Sequence, residues 1–209
     1  MTDGNPAGGG TLFTEPVLVV NQKAKLLETA AEHTVMDRNG TVIGSVAQVG
    51  QSSLKKAARL VSGLDQFMTH VFEIRDASEQ PLMKLTRPRK FMKSSFQLEQ
   101  ADGTPIGEIR QKNRMGKIKF ELTAGGDVVG QLKAENWAAW NFTVLDAGDR
   151  EVARIDKTWA GLGTEIFTTA DNYAIEIKEQ LTDPLLSLVV ASSLCVDTAL
   201  KQDSGGLLK

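Results

Sequence analysis

Two basic runs, Arg87-Pro88-Arg89-Lys90-Phe91-Met92-Lys93 and Arg110-Gln111-Lys112-Asn113-Arg114-Met115-Gly116-Lys117, hold the residue types and spacing that suggest chemistry in this sequence. From Lys84 to Lys119 there are ten basic residues and three acids, a net +7, whereas all 209 residues sum to −2 and the remainder is therefore −9. Guanidinium and ammonium groups at this density attract phosphate and carboxylate surfaces, each contributing about 1 kcal/mol beside an anionic leaflet. Lys84, Arg87, Arg89, Lys90, Arg110, Lys112 and Arg114 are the candidate contacts for anionic lipid, with Phe91 and Met92 set to dip among headgroups. A plainer reading is a solvated outer sheet face. The alternation Lys117-Ile118-Lys119-Phe120-Glu121-Leu122 already demands that of Lys117 and Lys119.

No second constellation competes with these runs. His33 and His70 have no Cys or second His at ligand spacing, so packing is their expected role and no metal is assigned. Trp159-Ala160-Gly161-Leu162-Gly163 lacks the Gly-Lys-Ser/Thr of a phosphate loop, and no nucleophile is paired with a base. Neither catalytic residues nor a cofactor are expected, and the chain is read as a non-enzyme. Trp137, Trp140 and Trp159 are expected to fill a core, and the lack of a base-reading motif disfavours nucleic acid. A lone Cys195 excludes an internal disulfide, and the N-terminus has neither the basic nor the apolar region of a signal peptide, which suggests the cytoplasm.

The elements that must hold the basic runs read as consecutive hairpins. Turn sequences recur at Asp37-Arg38-Asn39-Gly40, Asp76-Ala77-Ser78-Glu79, Ala101-Asp102-Gly103-Thr104, Ala124-Gly125-Gly126-Asp127 and Asp146-Ala147-Gly148-Asp149, each between strand-like segments. Three are followed on the return strand by a glycine, Gly44, Gly107 or Gly130, where a bulge or barrel corner needs one. These turns imply roughly a dozen strands. Residues 1–14 read as a flexible Gly-rich tail, 15–202 as one domain and 203–209 as a flexible C-terminus.

Two segments break the β rhythm. Ser53 to Phe67 places Leu54, Ala57, Ala58, Val61 and Leu64 at helical spacing opposite Lys55, Lys56 and Arg59, which predicts an external amphipathic helix. Asp183-Pro184 reads as cap and first residue of a second helix whose apolar residues, from Leu185 to Leu200, cover every face. Such a helix must be buried. Pro184 to Val196 falls short of the roughly 20 residues needed to span a bilayer, so burial is expected inside the sheet, with Ser187, Ser192 and Ser193 bonding to carbonyls one turn back.

Taken together, the strand from Val17 to Glu28, the hairpin from Val35 to Gln48, the hairpin from Phe96 to Lys112 and, above all, Trp159-Ala160-Gly161, Glu165, Phe167-Thr168 and Ala170-Asp171-Asn172-Tyr173 before the apolar helix resemble the phospholipid scramblase family over about Pro16 to Lys201. The resemblance implies a tubby-like fold: mainly β, a closed antiparallel barrel of about twelve strands around a central hydrophobic C-terminal helix, here with one external amphipathic helix. It also implies association with acidic phospholipids at the cytosolic face of a membrane, and phospholipid scrambling. The family's acidic calcium loop would align with Thr169 to Gln180, where Thr169, Ala174 and Gln180 stand at positions that need carboxylates or Gly. No calcium site is expected. With no cysteine cluster for acylation, contact with anionic lipid is expected to be peripheral, at the inner face of the plasma membrane. The alternative is a soluble adaptor module that binds a protein or a hydrophobic ligand.

Overall fold

A computed structural model of the protein describes residues 10–22, 31–49, 69–88, 95–113, 117–135, 141–156 and 172–193. The strands are β1 (Val17–Gln22), β2 (Ala31–Met36), β3 (Val42–Val49), β4 (His70–Asp76), β5 (Pro81–Arg87), β6 (Ser95–Gln100), β7 (Pro105–Gln111), β8 (Lys119–Ala124), β9 (Asp127–Ala134), β10 (Asn141–Asp146), β11 (Glu151–Asp156) and β12 (Asn172–Ile177). Each pairs antiparallel with its neighbour in sequence, and β1 pairs with β12 from Val17↔Glu176 to Asn21↔Asn172. With an even number of alternating strands the first and last run in opposite directions, so an ordinary antiparallel ladder closes the barrel and removes its edges.

One end of the barrel is built from tight turns that reuse a single device. Asp37, Asp76 and Asp146 each accept, at Oδ1, the backbone N–H groups two and four residues on, at 2.8 to 3.0 Å. This mimics a turn of backbone and is the reason Asp opens these loops. In these turns and in the one at Gly103 the chain takes positive φ: Gly40 at 84°, Glu79 at 62°, Gly103 at 91° and Asp149 at 61°. The Gly125-Gly126 turn has both φ values positive, 59° and 94°, as a two-residue hairpin requires.

The register slips beside Gly44, Gly107 and Gly130, which face inward on three of the return strands. A Cβ at Gly44 would lie 2.6 Å from the Arg75 carbonyl oxygen, and one at Gly130 would lie 2.7 Å from that of Leu145. The same bare backbone admits the interior side chains, since Leu12 packs over Gly44, Leu188 over Gly107 and Leu185 over Gly130.

Eight strands already enclose a space that side chains alone can fill, and diameter grows with strand number, so twelve need a filler. Here it is helix α1, described over residues 185–193. Leu188, Val189, Val190, Ala191, Ser192 and Ser193 are all at most 5% exposed, which leaves no wet face. Asp183 Oδ1 accepts the Ser187 N–H at 3.1 Å and its hydroxyl at 2.6 Å, capping the helix, and Ser192 Oγ donates to the Leu188 carbonyl at 2.6 Å. The expected fold class, a mainly β closed barrel around an apolar C-terminal helix, is the one observed. The external helix expected at 53–67 lies outside the described residues.

The domain boundary needs a correction. Leu12, read from sequence as part of a flexible tail, is 1% exposed and belongs to the core, and Glu15 folds back to accept the Gly10 N–H at 2.7 Å. Among the described residues the packed segment before β1 starts at Gly10, and its apolar Leu12 lies against Gly44 inside the barrel.

Candidate functional site: the basic end of the barrel

The antiparallel order sends every tight turn to one end and every longer connection to the other. The second end is bounded by Gln22 and Ala31, Val49 and His70, Arg87 and Ser95, Gln111 and Lys119, Ala134 and Asn141, and Asp156 and Asn172. Both basic runs leave strands here, after β5 and after β7, and only β6 stands between those strands. The consecutive hairpin order of β5, β6 and β7 makes the strands they leave near neighbours.

The seven candidate residues separate into four groups. Lys84 lies mid-strand on the outer face of β5 and is half-buried, with Glu73 and Glu99 as its register partners across the ladders. Arg110 and Lys112 are exposed but paired: Arg110 to Glu108 at 2.6 Å and Lys112 to Glu121 at 2.9 Å. The Glu108 carboxylate, by its hydrogen bond first and its charge second, holds the Arg110 guanidinium still more firmly protonated than usual. These are the solvated sheet-face charges of the plainer reading, and exposed pairs of this type are worth about 0–1 kcal/mol.

Arg87 is the correction within the set. It is 4% exposed and continues the inward alternation of Met83 and Leu85, so its side chain faces the interior rather than the surface. The signal was present in sequence, since a period of two from Met83 through Leu85 reaches Arg87. Arg89, Lys90 and Arg114 lie outside the described residues, as do Trp137, Trp140, Trp159 and Cys195.

Arg87 joins other buried polar residues, among them the histidine expected to pack. His70, its register partner, is 2% exposed, lies 2.7 Å by Nδ1 from Gln48 Nε2 and stacks on Phe72 with centroids 6.3 Å apart. Gln111 is 3% exposed and donates to the Asn113 carbonyl at 3.0 Å. The inner wall thus turns polar as it approaches this end. Deeper inside, a cavity of about 10 Å³ lies between Val190 and Ser193 of α1 and Leu18, Val20, Val35 and Ile175 of the wall. That is room for about one water, not for an acyl chain.

The segment aligned with a calcium loop is, from Asn172 to Ile177, the strand β12, laddered on one side to β1 and on the other to β11. Ala174 is 1% exposed within it. No group of three or more His, Cys, Asp or Glu side chains fit to hold a metal occurs among the described residues. No helix among them is long and apolar enough to cross a membrane.

Comparison with known proteins gives the relationship. A family model described as Scramblase matches residues 2–200. The chain belongs to the scramblase family. A phospholipid scramblase family protein of Schizosaccharomyces pombe is 24% identical over 183 residues, covering 78% of this chain and 46% of its own length. Altered inheritance rate of mitochondria protein 25 of Saccharomyces cerevisiae is 25% identical over 202 residues, covering 81% of this chain and 61% of its own length. The chain thus spans about half to three-fifths of the curated relatives it matches. A solved structure of an Arabidopsis thaliana protein shares the fold, with TM-score 0.52 and 11% identity over 91% of this chain and 98% of the other.

Proposed function

We propose that this scramblase-family barrel binds acidic phospholipids peripherally at the cytosolic face of a membrane, through the basic runs that leave β5 and β7. The observation that carries the reading is the placement of those runs on adjacent connections at one end of a closed barrel. Arg89, Lys90, Lys93 and Arg114 form the heart of the site, and Arg110 and Lys112 at its rim exchange weak carboxylate partners for lipid phosphates. Arg87 supports from within. Lys84, set between Glu73 and Glu99, contributes to the field rather than to contact.

Membership of the family and the scramblase family name of a relative support a lipid role. Transfer of lipid between leaflets is the finer form of the proposal and is tested separately by a leaflet-exchange assay. The second reading, an adaptor module that binds a protein, is favoured by the interior being occupied by α1, which leaves the described barrel no polar track along its axis.

Flotation with vesicles of graded phosphatidylserine content, with and without calcium, is the test. Binding is expected to rise with anionic content and to ignore calcium. Charge reversal at Arg89, Lys90, Lys93 and Arg114 together should abolish it, since four cations at about 1 kcal/mol each supply most of the attraction. Flotation unchanged by the four reversals would sink the site, and no flotation of the unaltered protein would leave the adaptor reading.

A further inference from the structure

Leu12 is the one described residue lining the small interior cavity that neither a barrel strand nor α1 carries. The other eight, among them Leu18, Val20, Val46, Ile74 and Val190, stand on β1–β4, β12 and α1. Leu12 is 1% exposed and reaches them from the segment before β1, passing over Gly44. Among the described residues, the hydrogen bonds of residues 10–15 stay inside that segment. The Thr11 carbonyl accepts the Thr14 and Glu15 N–H groups at 3.1 Å, Thr14 Oγ1 accepts the Thr11 N–H at 2.7 Å, and Glu15 Oε1 accepts the Gly10 N–H at 2.7 Å. The first tie to the barrel comes at Pro16, whose carbonyl accepts the Ile177 N–H at 2.7 Å. Residues 10–15 are therefore folded on themselves and held to the wall by side chains alone, Leu12 in full and Phe13 in part. Glu15 Oε2 is buried and accepts no hydrogen bond, a cost that is removed when the segment lifts into water.

We infer that residues 10–15 form a releasable stopper, and that the slot vacated by Leu12, between α1 and the β1–β4 wall, takes a small uncharged apolar group. Emptying a leucine's place enlarges the cavity toward the size, about 150 Å³, at which aliphatic cavities stay dry and bind benzene. The lining is aliphatic apart from Ser193, whose hydroxyl already donates to the Val190 carbonyl at 3.3 Å, so a polar ligand would lose its water without gaining a partner. Asp76 is the register partner of Gly44 and Glu79 stands in the same turn, so carboxylates border the approach and disfavour an anion. Opening separates no strands, because the β1–β12 ladder begins only at Val17, and local openings of this kind lie well below global unfolding in free energy. A ligand that fits the open slot shifts the population toward it. This site stands apart from the acidic-lipid reading and does not depend on it.

Benzene is the probe, followed through methyl resonances. It is expected to bind Leu12→Ala and shift the methyls of Leu18, Val20, Val46, Ile74 and Val190. The unaltered chain should bind it through the same methyls about ten- to a hundredfold more weakly, because there the slot must first be vacated. No binding to folded Leu12→Ala, equal affinity for both chains, or no shift of these methyls in the unaltered chain overturns the stopper. Hydrogen exchange on the unaltered chain decides the matter should Leu12→Ala not fold. The Thr14 and Glu15 amides are expected to exchange about a hundredfold faster than those of Leu18 to Val20, and faster again with benzene present. Protection equal to that of β1, or exchange that benzene leaves unchanged or slows, overturns the proposal.

Discussion

At Gly107 an added Cβ would run into the Thr123 carbonyl oxygen and crowd both Leu188 methyls, at 3.2 and 3.3 Å. Backbone cannot yield as a flexible side chain can, so Gly107→Ala is expected to cost about 2 kcal/mol or more, read as a lowered Tm against Gly148→Ala, where an added Cβ would meet only the Asp146 side-chain oxygen at 3.3 Å, as comparison. The glycine was legible in sequence as a bulge position, but not the leucine that lies over it, because that neighbour is about eighty residues away in the chain. Asp146 illustrates the turn device. Backbone hydrogen bonds from Arg150, then the Arg150 side chain, hold its carboxyl below the usual range. A group whose folded pKa is depressed stabilises fully above its unfolded value near 4 and loses that contribution as pH falls through the folded value. The Tm gap between the unaltered protein and Asp146→Asn should therefore be widest near neutrality and close as pH falls below about 4. A gap that is constant with pH would show that the carboxylate charge is immaterial. Arg87 shows the opposite lesson: it was counted with a basic run because of its type, while its parity along β5 decided that it points inward.

At the scale of elements, the helix and the wall require each other. Twelve strands leave an interior too wide for side chains, and a helix apolar on every face cannot remain in water. The sequence announced both halves of that bargain, five turn signals on one side and Leu185 to Val196 on the other. Buried serines were the doubtful feature of such a helix, and Ser192 and Ser193 resolve it by donating to the Leu188 and Val190 carbonyls at 2.6 and 3.3 Å. Val190 is 5% exposed and borders the small cavity that faces β1, β2 and β12. Val190→Asp would place a carboxylate there with no aqueous route, at a cost of several kcal/mol in a domain whose whole stability is about 5–15. Loss of soluble, folded protein is expected, measured by expression and circular dichroism. A soluble variant with an unchanged Tm would mean that α1 is not seated as described.

For the whole molecule, the lipid hypothesis depends on an arrangement rather than on a motif. Reversing Arg89, Lys90, Lys93 and Arg114 changes the net charge of the segment from Lys84 to Lys119 from +7 to −1, so flotation should vanish at physiological salt and not be restored by calcium. The amino-acid sequence by itself determined the hairpin order, the all-round apolar helix and the concentration of positive charge between Lys84 and Lys119, because turn chemistry, periodicity and composition are local quantities. Which strand closes on which and which glycine receives which leucine were decided only by the tertiary structure. Closure sets them, through the β1–β12 ladder.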